Sequence, residues 1–206
     1  MLDAHPPELH AGEGERLSRA EYGSDFGRRY AALRDADCWK LERRQHFEET
    51  DDASRDALRR GDWPEALRLL DARRDALHEE AVADQRQGVT FHRVRVVEEP
   101  LTPYIQWELH SHRNRVRYAG EKIRVLAAGA ISRAESAGQL PELTILGAAA
   151  MFRVVYTDAG VPDGAVRFTD RATVDSWTAY LRGLYLAAED LDAYFDRDVA
   201  PLPPPV

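Results

Sequence analysis

The feature that most constrains this chain is an alternation of arginine with apolar residues. Arg93 and Arg95 alternate with Val94 and Val96, Arg124 stands between Ile123 and Val125, Arg153 between Phe152 and Val154, and Arg167 between Val166 and Phe168. A helix would scatter such residues around its circumference, whereas a strand sends successive side chains to opposite faces. Each segment therefore predicts a strand with one apolar face that must be covered and one guanidinium face. The strands expected are 89–97, 122–126, 151–156 and 165–169. Asp158, Gly160, Pro162, Asp163 and Gly164 between the last two predict a hairpin with a long loop. The segment 104–118 fits either a helix or a further strand.

Before Gly88 the period is helical. Tyr22, Phe26, Tyr30 and Leu33 share one helix face. A helix over 52–60 stops at Gly61, and the next starts with Asp62 as cap, Pro64 in the first turn and Glu65 three residues on. The short run 38–42 reads as a strand or a helix turn. At the other end Val174, Trp177, Leu181, Leu184, Ala188, Leu191 and Phe195 repeat at alternating spacings of three and four, the seam of one helix over about 173–195. That seam either covers the sheet or offers Trp177, Leu181, Leu184, Leu191 and Phe195 to a partner helix, including that of a second copy.

The fold class expected is α+β: an N-terminal helical region, a mainly antiparallel sheet, and a long C-terminal amphipathic helix packed on it. The divisions are a flexible tail over 1–18, a helical region over 19–87, the sheet region with its C-terminal helix over 88–199, and a Pro-rich tail over 200–206.

Charge and missing motifs narrow the function. The net charge is −8, from 28 basic and 36 acidic residues, so the overall field repels nucleic acid and makes direct DNA binding a minor alternative. Cys38 is the single cysteine, which suits a reducing compartment. No apolar run approaches the roughly 20 residues a membrane helix needs, and a cytoplasmic location is expected. There is no phosphate loop, dinucleotide fingerprint or Gly-x-Ser-x-Gly elbow, and no cofactor is expected. His78-Glu79-Glu80-Ala81-Val82 begins like a zinc-protease helix, but Val82 stands where the second histidine is needed. His110 and His112 would share a face on a strand and diverge by about 200° on a helix. No metal is expected, and Cys38 beside Trp39 reads as a small buried residue.

The candidate site is therefore the polar face of the sheet. Arg93, Arg95, Arg124 and Arg153 are its ligand contacts, with Tyr104 and Trp107 as aromatic walls, because arginine presents a planar fork of donors to phosphate or carboxylate. The plainer reading is that these arginines pair with Glu98, Glu121 and Asp170. An enzymatic alternative, a hydrolase or transferase of phosphate-bearing or nucleotide-like substrates, would use His110, His112 and Glu108 as acid–base groups.

The middle of the chain resembles an uncharacterised actinobacterial domain family often encoded beside small helix-turn-helix regulators. The residues that carry the resemblance are Leu41-Glu42 with Arg44, then the run from Arg93 to Leu101, Tyr104, Trp107-Glu108, and Gly120-Glu121 with Ile123-Arg124 and Leu126. It spans roughly 20–126. Family members carry an Asp-Phe-Trp-type strand after the Leu-Pro of 140–141, where this chain reads Glu142-Leu143-Thr144-Ile145-Leu146-Gly147. The resemblance implies no catalytic residues. It implies a regulatory setting, and with it a non-enzymatic regulatory or adaptor protein that binds a protein partner, such as a helix-turn-helix regulator, or a small anionic ligand.

Overall fold

One sheet of eight strands organises the chain, in the order β1-β7-β6-β5-β2-β3-β4-β8. The computed structural model describes residues 5–10 and 12–205; parts of both expected tails, residues 1–4, 11 and 206, lie outside them. The elements are β1 (Glu15–Leu17), α1 (Arg19–Ala31), β2 (Ala36–Glu42), α2 (Ala53–Arg59), α3 (Trp63–Asp71), α4 (Arg74–Gln87), β3 (Val89–Val97) and α5 (Pro103–Asn114). They continue with β4 (Lys122–Ala127), β5 (Leu143–Leu146), β6 (Ala150–Tyr156), β7 (Pro162–Phe168), α6 (Arg171–Ala187), β8 (Glu189–Asp190) and α7 (Leu191–Tyr194).

The sheet is mixed, which corrects the expected antiparallel arrangement. β2, β3 and β4 run parallel, and the other neighbours are antiparallel. The reason is connectivity. Helices α2, α3 and α4 separate β2 from β3, and α5 separates β3 from β4, and a crossover of that length returns the chain in the same direction. Nor are the helices confined to the two ends. β1 and β2 come from the expected tail and helical region, and α5, the undecided segment 104–118, lies between two strands. The four arginine-alternating strands all form, and β6 and β7 make the expected hairpin.

Local signals set the helix ends. Ser18 and Glu21 form a reciprocal capping box on α1, and Asp62 accepts from the Glu65 amide to start α3, with Pro64 in the first turn. α4 ends on Gly88, which is left-handed at φ 68°. A Cβ there would stand 2.2 Å from the Asp35 side chain, so glycine is required where α4 turns into β3.

The two faces of the sheet are covered differently. On one face Trp39, Leu41, Val94, Val96, Ile145 and Phe168 form a continuous core under α6. Its seam residues Val174, Trp177, Leu181 and Leu184 are all within 1% of full burial. The predicted single helix is broken at Ala188, which is extended (φ −82°, ψ 155°). Glu189 and Asp190 then pair with the edge of β4, and the chain crosses to the other face, where Leu191 and Phe195 join a second cluster. The heptad seam is thus two elements on opposite faces, and its buried residues are not offered to a partner helix.

The other face carries two separate apolar clusters. One, under α1, includes Leu17, Cys38, Leu146 and Phe152 with Tyr22 and Phe26. The second packs α2, α3, α5 and α7 on Val97, Ile123 and Val125. Between them lies a stripe of charge. The C-terminal run is tethered at Pro203, whose carbonyl accepts from Gln106 at 2.9 Å. Among the described residues no helix is long and apolar enough to cross a membrane.

Candidate functional site: a charged cleft between two cores

Strand register builds the stripe. Lys40 lies opposite both Arg93 and Thr144, and Glu42 lies opposite Arg95, so these side chains share the face that α6 does not cover. α5 adds Glu108 and His112 from positions four apart, one helix face. A single π-helical turn, Arg115–Ala119, follows α5 and swings Arg115 back over the sheet, a distortion that often marks functional segments.

The groups form an alternating chain of ion pairs. Lys40 Nζ lies 2.7 Å from Glu42 Oε1, and Arg93 joins Glu42 at 2.8 Å to Glu121 at 3.0 Å. Arg115 continues from Glu121 at 2.5 Å to Glu80 at 3.2 Å. A second pair lies beside it: Arg95, fully buried, donates from Nε to Glu108 at 2.6 Å. The hydroxyl of Tyr104 donates to Glu108 at 3.1 Å. His112 Nε2 stands 3.0 Å from Glu42 Oε2, and its Nδ1 is buried without a partner.

Burial and charge compete at each group. Burial pushes the Glu42 carboxyl up, but Arg93, Lys40 and His112 outweigh it and hold it well below the usual carboxylate range. Glu121 is lowered in the same way, burial being overcome by Arg93 and Arg115. Burial, with Arg93 behind it, depresses His112 against the pull of Glu42. Glu142, at the N-terminal end of β5, is pushed up to about 7, chiefly by burial, against the backbone amides of Arg44 and Arg43 that donate to it.

Two cavities open along this stripe and share Lys40, Arg93 and Arg115. The larger, 510 Å³, lies between α1 and α4 over the sheet and has rings on its walls: Tyr22, Phe26 and Tyr30 from α1, Phe91 and Tyr156 from the sheet. The smaller, 250 Å³, is polar and lies toward α5, with Glu108 and His112 in its wall. Opposite α1, Asp84 of α4 accepts from the Tyr30 hydroxyl at 2.7 Å.

The expected site residues divide. Arg93 and Arg95 occupy this stripe, but each is neutralised by glutamate, and neither is a free anion receptor. Glu121 is the expected pairing that holds. Glu98 instead takes Arg43, and Asp170 caps α6. Arg124 and Arg153 lie on the opposite face. Their cross-strand partners Val94, Leu143 and Val166 belong to the core under α6, and Arg124 lies over the Tyr185 ring. Tyr104 and Trp107 are buried and border the smaller cavity.

The enzymatic set divides as well. Residues 104–114 are helical, so His110 faces away from Glu108 and His112 and contacts Trp63 and Phe195. Burial pushes it down to about 4. Burial also raises the Cys38 thiol to about 12, which leaves no thiolate for nucleophilic attack. Among the described residues Glu42, Glu108 and His112 bring ligand atoms within 4.8 Å of one another. A metal does not fit there, because all four carboxylate oxygens already accept from Lys40, Arg93, Arg95, Tyr104 or His112.

The residues missed by sequence reasoning are Lys40, Glu42 and Asp84. The first two were legible, since Lys40 and Glu42 alternate with Trp39 and Leu41 as Arg93 and Arg95 do with valine. Asp84 carried no signal, because α4 has few apolar residues to mark which face meets the sheet.

Fold and site together define a one-sheet α/β domain with a sealed face and a clefted face. The chain belongs to the family described as domain of unknown function DUF6879, whose model matches residues 24–196. That match extends through the C-terminal third, where the sequence departs from the resemblance seen upstream. No curated protein matches. Among solved structures, one titled as TrmBL2, an archaeal chromatin protein with a novel mode of DNA binding, is similar at 10% identity and a TM-score of 0.47. The likeness covers 92% of this chain, which spans 57% of that one.

Proposed function

We propose that this protein is a non-enzymatic binding module that takes a small organic molecule into the cleft between α1 and α4. The observation that carries this reading is the cleft itself, a ring-walled cavity of 510 Å³ on a sheet face that the chain's own helices cover only at its two ends. Its size lies in the range of small-molecule sites, and an apolar wall with a few convergent polar groups is their usual construction. Binding is favoured over catalysis because the carboxylates of the stripe are held in ion pairs and His110 lies away from them. A regulatory role would follow if occupancy moves α1, which contributes Asp25 as its one buried residue.

The test is a thermal-shift screen of amines, carboxylic acids and neutral aromatics against wild type and Ala83→Trp. Ala83 is exposed at the lip of the cavity, so an indole there blocks entry without disturbing the core. A compound at about 100 times its Kd stabilises by roughly 2.7 kcal/mol. The expected result is a set of compounds that raise Tm in wild type and fail to do so in the variant. Hits that stabilise both proteins equally would place the binding elsewhere.

A further inference from the structure

Arginines on the sheet suggest an anionic ligand, but the pairing pattern argues for the reverse. Lys40, Arg93 and Arg115 are the basic groups lining the larger cavity. Each belongs to the alternating chain with Glu42, Glu121 and Glu80, which contains as many cations as carboxylates. The chain neutralises itself. Asp84 stands outside it: its bond is from the neutral Tyr30 hydroxyl, and it makes no ion pair among the described residues. The carboxylate in the cavity wall that no cation pairs is therefore Asp84.

The surroundings of that charge are aromatic. Tyr30 and Phe26 are stacked 5.8 Å apart, Phe91 stands 6.5 Å from Tyr30, and Tyr22 and Tyr156 close the wall. The faces of such rings carry negative potential and attract an organic cation, most strongly where water is displaced. A carboxylate beside several rings is the arrangement that recognises an ammonium group. The cavity is also far larger than a bare ammonium ion would fill, given that one water occupies about 30 Å³ in the liquid. Its occupant therefore has an apolar body as well.

Accepting the cleft as a binding site, we infer that its ligand is an arylalkyl amine, bound as the ammonium ion, with the charged nitrogen at Asp84 and the ring against Phe91, Phe26 and Tyr22. Lys40 and Arg115, held by their glutamates, order the polar end of the cavity and leave it without net attraction for acids.

Calorimetry with three probes of similar size and different charge tests this: tyramine, 4-ethylphenol and 4-hydroxyphenylacetate. Tyramine is expected to bind about tenfold or more tighter than either of the others. Asp84→Asn, whose amide oxygen can still accept from Tyr30, is expected to remove that advantage and leave 4-ethylphenol unchanged. Tyr30→Phe removes the bond to Asp84 and keeps carboxylate and ring, and is expected to retain tyramine binding, so a loss confined to Asp84→Asn reports charge and not misfolding. Tighter binding of the acid, tyramine binding indifferent to Asp84→Asn, or no tyramine binding overturns the inference. Those failures are separable from failure of the cleft itself. If screen hits are still excluded by Ala83→Trp, the cleft binds a ligand of another charge. If no compound distinguishes wild type from Ala83→Trp, the binding-module reading falls with the inference.

Discussion

The two faces of the sheet are built from the same strands by opposite rules. Under α6, Trp39, Leu41, Val94 and Val96 meet Trp177, Leu181 and Leu184 in one dry cluster. One residue along each strand, Glu42, Arg93 and Arg95 face the other way and are buried nearly as deeply, with Arg95 at 0% exposure, while Lys40 beside them is half-buried. The sealed face gains from area removed from water, about 25 cal/mol per Å². The clefted face gains little from its ion pairs, because desolvating each charge offsets most of the attraction. The first face sets stability, while the second trades stability for an interior whose charge is specified group by group. Strongly perturbed titratable groups cluster at functional sites.

The largest effect is expected on the sealed face. Trp177 is 1% exposed and central to that cluster. Trp177→Ala should cost about 3–5 kcal/mol in urea unfolding, through lost transfer energy and the cavity left behind. On the clefted face a double-mutant cycle sharpens the contrast. Arg95→Met strands Glu108 in the interior and should cost about 3 kcal/mol. Adding Glu108→Leu removes the stranded charge, and the double variant should return to within about 1 kcal/mol of wild type. A single variant no costlier than a surface change would mean that water reaches the pair, and the two faces would then differ less than their burial implies.

How much of this was readable in advance follows from what each signal reports. The period-two alternation placed all four arginine strands, because it depends on local geometry. It also placed Arg93 and Arg95 in the site. It could not say which face Arg124 and Arg153 would share, because that depends on register between strands distant in sequence. The heptad seam was a true record of burial and a false record of continuity. Leu184 and Leu191 keep the spacing while the backbone extends at Ala188 and crosses the sheet edge, and spacing alone is blind to such a break. The parallel centre was hidden because strand direction follows from where α2, α3, α4 and α5 pack. The cavity was hidden for a related reason: Tyr22, Phe26 and Tyr30 were readable as one face of α1, but what that face overlooks is a tertiary fact.

The smallest effect tests the clefted face by pH. Glu142 immediately precedes β5 beside the stripe and accepts from the amides of Arg43 and Arg44 at 2.8 and 2.6 Å. Burial raises it from an ordinary 4.5 to about 7. A raised carboxyl pKa means the folded protein holds a proton that the unfolded chain has released. Between about pH 4.5 and 7 the native state therefore binds more protons, and unfolding free energy falls as pH rises through that window, then levels off above it. The group should account for on the order of 1–3 kcal/mol of this loss. Glu142→Gln keeps an oxygen for both amides and cannot ionise, so it should flatten the profile and leave the variant more stable than wild type at pH 8, as read by urea unfolding across the range. Trp177→Ala, on the sealed face, should instead lower the whole profile without changing its slope, because no titrating group is lost there. If Glu142→Gln leaves the slope unchanged, the proton is bound elsewhere, and the clefted face near Glu142 is wetter than the ion-pair stripe requires.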